Sequence, residues 1–257
     1  MAYWSRLAGV VRLGRVSSTM LATFGTALTA LIAVPAVGTV FDVLLGQDLR
    51  APDYTRTGYA SAIVSLAMSV ASGVVGKVAA DRGLGVIQEI VVRRTVDTAY
   101  WIGSAVVPVA LSVPTLIVTL GGVFLISPSR DVGQLIRIIP LALAAVFIGA
   151  LFGVCCSGIG VSLPDPYLAA TIAGCVVPIT AGIVVPVGLY PDWLRTVCVW
   201  FPLNGTIRAL DSVISGHGGL GAVRTDMLIA VVWAVVGLLF TRVAVRRLRN
   251  GSRQTLL

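Results

Sequence analysis

The sequence predicts an all-α integral membrane protein, and three observations carry that prediction. Of its 257 residues, 57% are hydrophobic and only 12% are charged, and the mean hydropathy is +0.96. One soluble core cannot hide that much apolar surface. The apolar residues fall in runs long enough to cross ~30 Å of hydrocarbon, which takes about 20 helical residues. The charged residues gather in the breaks between runs and at the ends. Six transmembrane helices are expected, at 18–41, 58–78, 99–126, 135–161, 167–189 and 227–245, in a single transmembrane domain spanning 1–257.

A net charge of +8 could point to nucleic acid or to topology. In a membrane protein, basic residues hold connections on the cytoplasmic side, so no nucleic-acid partner is expected. Six spans place both termini and the connections after spans two and four on one side. Twelve of the 19 Lys and Arg lie there, which makes both termini cytoplasmic. One lysine among those 19, with abundant Ala, Val and Gly, suggests a GC-rich bacterial source and hence a bacterial inner or plasma membrane.

Residues 1–17 place Tyr3, Trp4, Leu7, Val10 and Val11 on one helical face, with Ser5, Gly9 and Arg12 opposite. This is the pattern of an interfacial helix lying along the membrane. The apolar run that follows is too long for a signal-peptide core and is read as a retained span. In span two, Ser61, Ser65, Ser69 and Gly73 recur every four residues. Such a stripe serves either close helix packing or a polar lining for a substrate path.

The stretch from Lys77 to Trp101 is charged yet still patterned as a helix, expected over 79–98. Leu84, Ile87, Ile90 and Val91 fall within roughly 120° of one another on a helical wheel. Glu89 lies opposite and precedes Arg93 by four residues, an exposed pair contributing ~0.3 kcal/mol. Asp97 or Thr98 caps span three, which Pro108 and Pro114 can bend. Span four carries a second small-residue stripe, Ala145, Gly149, Gly153 and Ser157. The short link Pro164-Asp165-Pro166 makes a tight hairpin into span five, which Pro178 and Pro186 interrupt.

Residues 190–226 are too polar for a full span but hold many large apolar side chains. They read as two half-buried helices split near Pro202-Leu203-Asn204-Gly205, re-entrant on the outer side. The lone histidine, His217, reads as a loop residue. Cys155, Cys156 and Cys175 sit in apolar runs and Cys198 stands alone, a spacing that fits neither a metal site nor a disulfide framework. No nucleophile–base set, carboxylate pair or phosphate-binding loop stands out, so catalysis by this chain is not expected.

Two stretches carry a resemblance to a known family. Pro186 with Tyr190-Pro191-Asp192-Trp193-Leu194 and then Phe201-Pro202-Leu203-Asn204-Gly205 is similar to the outer hairpin of ABC-2 type permeases, the membrane subunits of ABC exporters for drugs and cell-surface polymers. Asp81-Arg82-Gly83-Leu84 is similar to the run that opens their cytosolic coupling helix. The family's usual glutamate soon after that glycine is replaced by Val86, with Glu89 three residues on, and Pro202 precedes Asn204 rather than following it. The resemblance covers essentially the whole chain.

It implies six spans with an N-terminal interfacial helix, a coupling helix over 79–98 and an extracellular re-entrant hairpin over 190–226. The activity implied is ATP-driven export, multidrug efflux included, of an amphipathic or lipid-like substrate. The partners implied are a cytosolic ATPase subunit holding the ATP and Mg, a second permease copy or paralogue, and membrane lipid; this chain would bind no cofactor and no metal. ATPase coupling would fall to Asp81, Arg82, Gly83, Leu84, Ile87, Glu89, Arg93 and Arg94, with Pro164, Asp165 and Pro166 as a smaller contact. Pro186, Pro191, Trp193, Phe201, Pro202 and Asn204 would build the outer hairpin. Ser61, Ser65, Ser69, Gly149 and Gly153 would line a substrate path or pack a dimer. The alternative is a stand-alone secondary carrier or channel independent of ATP, which would need a polar or charged site at membrane depth.

Overall fold

The computed structural model describes residues 3–18, 21–48, 54–93, 96–183, 185–216 and 221–249, with no strand among them. In chain order α1 covers Tyr3–Val16, and α2 (Phe24–Leu28) passes through a π-helical turn at Thr29–Ala33 into α3 (Val34–Asp48). There follow α4 (Tyr54–Gly83), α5 (Val86–Arg93), α6 (Thr98–Ile126), α7 (Val132–Gly160), α8 (Leu168–Ala181), α9 (Asp192–Cys198), α10 (Asn204–Ile214) and α11 (Gly221–Arg249). Five helices among the described residues are long and apolar enough to cross a membrane: Phe24–Leu44, Thr55–Gly83, Thr98–Ile126, Val132–Gly160 and Gly221–Arg246. The chain has the architecture of a multi-pass helical membrane protein.

At the centre α7 packs along α4 on one side and α11 on the other. The reason lies in its small residues. A side chain on Gly149 would collide with the backbone of Ala67 in α4, so the two helices meet backbone to backbone, as membrane helices do where dispersion must replace the hydrophobic effect. Ile63, Leu66, Ile138, Leu141 and Ile148 fill the space beside this contact and are fully buried. A helix forms within residues 1–17: α1 packs along α6, with Val10 against Gly103 and Gly14 against Val107, and Trp4 is exposed.

Several boundaries differ from the sequence reading: α4 starts at Tyr54 rather than 58, α11 starts at Gly221 rather than 227 and so takes in the end of the expected 190–226 segment, and three further differences have a physical cause. The first span does not end at Phe41, because α3 continues to Asp48. Its polar residue, Asp42, accepts a hydrogen bond from the Ser61 hydroxyl at 2.5 Å, and a carboxylate so partnered need not terminate an apolar helix.

The expected span at 167–189 is instead the 14-residue α8, about 21 Å long, followed by a single 3₁₀ turn at Val187–Leu189. Gly182 takes a left-handed conformation (φ 73°) and closes α8, a geometry glycine adopts without a steric penalty.

The charged stretch is not one helix. Its first turn belongs to α4, Gly85 breaks the chain with φ 78°, and only Val86–Arg93 forms a separate short helix.

Candidate functional site

A cavity of about 570 Å³ lies between α1, α3, α4 and α6. Its α4 wall begins at Ala62, includes Ser65, Ser69 and Ser72, and ends at Lys77 and Ala80. The 18 helical rises from Ala62 to Ala80 make it about 27 Å long. The facing walls are mostly apolar, with Leu31, Val34, Val107, Pro108 and Leu111 among them, while Asp42, Ser112, Thr115 and Thr119 add polar groups. Several hydroxyls donate to their own helix, Ser69 to Leu66 O at 2.8 Å and Thr119 to Thr115 O at 2.9 Å. Their lone pairs are left to face the cavity as acceptors.

The two small-residue stripes therefore do different things. Ser65 and Ser69 line the cavity, and Ser61, buried just beyond its edge, holds Asp42. Gly149 and Gly153 make the backbone contact between α7 and α4, Gly153 against Ala71.

One end of the cavity is closed by charge. Lys77 Nζ pairs with both carboxylate oxygens of Asp81 at 2.5 Å, the two side chains being 8% and 0% exposed. Tyr100 donates its hydroxyl to Asp81 Oδ2 at 3.0 Å, so the buried carboxylate has donors from two helices, which burying it requires. Gly14 of α1 lies directly against the Lys77 stem. Beside this cluster, Arg6 Nη1 meets Asp97 Oδ2 at 2.7 Å, while Asp97 Oδ1 caps α6 through Ala99 N. Arg82 Nη1 donates to Gly160 O and Leu163 O at 3.1 and 2.6 Å, tying α4 to the turn in which Gly160 O also accepts from Leu163 N.

Of the coupling residues read from sequence, Asp81 is fully buried among partners of its own chain and Arg82 is half-buried on α7. Gly83, Leu84 and Glu89 are exposed, and Ile87 is buried as the wheel predicts. Arg93 ends α5; its side chain, with it the pair to Glu89, and Arg94 lie outside the described residues, as does His217. Pro164 and Asp165 are exposed and Pro166 half-buried, with Asp165 capping Tyr167 N at 2.8 Å.

At the opposite end of the bundle α9 is largely exposed, as are Trp193 in it and Trp200 just after it, while α10 buries Ile207 and Leu210, with Leu203 buried at its start. Pro186 and Pro191 are exposed, Phe201 is half-buried against Trp233, and Pro202 and Asn204 are buried. Asp226 of α11, 1% exposed, accepts from Gly205 N at 3.0 Å and from Thr206 N and Oγ1 at 2.6 and 2.7 Å. It thereby neutralises the positive end of α10. Arg56 grips Asp211 and also donates to Ile183 O at 2.7 Å and Gly182 O at 3.2 Å. Outside the spans, burial pushes the Cys198 thiol up. It also raises the Tyr190 phenol, with Cys198 adding and Arg56 opposing.

Asp42, Lys77, Arg56 and Asp226 were not singled out from sequence. The one available signal was an ionisable residue inside or at the edge of an apolar run, which by default marks function or a paired structural charge. Among the described residues no group of three or more His, Cys, Asp or Glu could hold a metal ion. No protein-family model matches this chain, and no curated protein matches it.

Proposed function

We propose that this chain is the membrane permease subunit of an ATP-driven ABC exporter, moving an amphipathic or lipid-like substrate out of the cytoplasm. In this reading a separate cytosolic ATPase subunit binds ATP and Mg, and a second permease copy or paralogue completes the assembly. The six crossings of the family would be five long helices and the short α8, with α9 and α10 as the outer re-entrant pair.

One observation supports the reading above the others. The helix whose serines line the cavity, α4, continues through the Leu84-Gly85 turn into α5, a short helix with Ile87 buried and Leu84 and Glu89 exposed beside it. Force on α5 from a partner would reach the cavity wall through covalent backbone, the physical link that coupling requires. The test is purification from the native membrane in mild detergent. An ATPase subunit should accompany the chain, and transport by the pair should need ATP hydrolysis. Activity of the isolated chain without ATP would overturn the proposal.

A specific observation favours the second reading, a stand-alone carrier. Asp42 and Lys77 both line the cavity, and ionisable groups at membrane depth mark ion or substrate pathways. That reading predicts transport driven by an ion gradient and abolished in Asp42→Asn.

A further inference from the structure

The charges that line the cavity do not balance. Asp42 and Lys77 are the two charged residues in its described lining. Lys77 is already paired with both carboxylate oxygens of Asp81. Asp42 has the Ser61 hydroxyl as its partner, and no basic side chain among the described residues pairs with it. Ser61 stands sixteen helical rises, about 24 Å, from Lys77 along α4. A carboxylate therefore borders a mostly apolar space without a counter-charge, which a bound cation would supply. The neutral groups of the lining lean the same way. Thr39, Ser69, Ser112 and Thr119 each give the hydroxyl hydrogen to a carbonyl of their own helix, at 2.8, 2.8, 2.7 and 2.9 Å. What such a hydroxyl still offers is a lone pair, so these four accept and do not donate. An anion is repelled by Asp42 and gains nothing from them. Tyr167 is the one aromatic residue in the described lining, so there is no cage of ring faces of the kind that holds a quaternary ammonium.

We propose that this cavity binds an amphipathic amine in its protonated, N–H-bearing form. The ammonium group donates to Asp42 and to hydroxyl lone pairs such as that of Thr39, one turn earlier on α3, and the apolar body lies between Leu31, Val34, Val107 and Leu111. Charge and hydrogen-bonding complementarity select the occupant. The acceptors reward every N–H that the cation carries, which a fully alkylated ammonium lacks, and the apolar walls reward a body that an inorganic cation lacks. A volume of about 570 Å³ suits a molecule of drug size. The inference names the substrate class of the cavity in the exporter reading, and it rests on that reading only for the bound amine being cargo. Binding itself follows from the lining.

Isothermal titration calorimetry of the full chain in phosphatidylcholine nanodiscs, with empty nanodiscs as the blank, tests it. Neither ATP nor an ATPase subunit is present, so failure here and failure of the exporter reading are separate results. The probes are naphthylbutylamine and its trimethylammonium, alcohol and carboxylate counterparts at neutral pH. The amine should bind about tenfold more tightly than each of the other three, the scale of one charge-assisted hydrogen bond. This comparison is made on the parent chain and depends on no variant. Asp42→Asn, whose side-chain oxygen can still accept from Ser61, should remove the advantage of the amine and leave binding of the alcohol unchanged, which separates lost charge from misfolding. Ser65→Leu, which fills the cavity from an exposed position on its wall, should weaken amine and alcohol alike. Equal binding of the amine and the trimethylammonium, an amine advantage that survives in Asp42→Asn, or displacement of the amine by sodium chloride but not by choline chloride, the sign of an inorganic-cation site, would each overturn the proposal.

Discussion

Arg56 and Asp211, 155 positions apart in the chain, face each other side by side, with Nε to Oδ1 at 2.7 Å and Nη2 to Oδ2 at 3.2 Å. The same guanidinium holds the carbonyls at the end of α8. One side chain thus joins α4, α8 and α10, and its geometry needs a planar fork rather than a point charge. Arg56→Ala should lower stability by about 2 kcal/mol, the scale of charge-assisted hydrogen bonds lost from a mostly buried donor. Arg56→Lys should recover only part of that. Thermal unfolding in detergent measures both; equal melting of all three proteins would show that the contact contributes nothing.

The pair Lys77 and Asp81 should behave as a buried unit. Lys77→Met leaves a fully buried carboxylate with Tyr100 as its one remaining described donor, and breaking such a pair costs about 3–5 kcal/mol. The double variant Lys77→Met, Asp81→Leu removes both charges and should be more stable than Lys77→Met. A double-mutant cycle with additive effects would count against the pairing.

Gly149 should tolerate no side chain, because a Cβ there meets the Ala67 backbone. Gly149→Ala should cost about 1–3 kcal/mol through overpacking. Ser65→Ala, on a wall that faces open space, should stay within about 0.5 kcal/mol of the parent. Unfolding curves that place the two substitutions together would contradict the division between a packing stripe and a lining stripe.

On the exporter reading, charge reversal at Glu89 and Arg93 together should weaken capture of the ATPase subunit while leaving the chain folded, since Glu89 is exposed on a short surface helix. Pull-down yield against the melting temperature of the same preparation reads the two effects separately. Full capture and full transport by the double variant would remove α5 from the coupling role.

Cys198 should alkylate slowly at neutral pH. Burial raises its thiol, and the thiolate is the reactive form. A raised pKa means less thiolate at any given pH, so the labelling rate should reach half its maximum at a pH above the ~8.5 of an ordinary thiol. Site-resolved mass spectrometry of iodoacetamide adducts across pH 7–11 measures this; a half-maximum near pH 8.5 would show an unshifted thiol.

Some local patterns read correctly from spacing and others did not: Leu84, on the same wheel face as Ile87, is exposed in the turn before α5. The amphipathic face of α1, the capping of α6 by Asp97 and the inward placement of Ile87 all follow from spacing along one helix. What spacing cannot carry is which helix stands opposite. Ser61 to Ser69 and Gly149 to Gly153 have the same four-residue repeat, yet one set meets a cavity and a carboxylate while the other meets a backbone. The partners of Arg56, Arg82 and Asp226 lie on other helices, so nothing in their own neighbourhoods announces them. The end of α8 was concealed differently. Its apolar composition continues past Gly182, and only the left-handed backbone there stops the helix.

Of the four long helices from α4 onward that could cross a membrane, α4 and α11 contain no proline, whereas α6 carries Pro108 and Pro114 and α7 Pro140. In α4 the described residues include a charged anchor near each end, Arg56 and Asp81. Between Arg56 and Lys77 lie about 31 Å of unbroken helix, clamped at one end to α8 and α10 and at the other to α6 and, through Arg82, to α7. Such a rod has no proline joint at which a movement could be absorbed. A displacement imposed at the Lys77 end is therefore expected to be felt at the Arg56 end, as in a lever, with the cavity lying along its side.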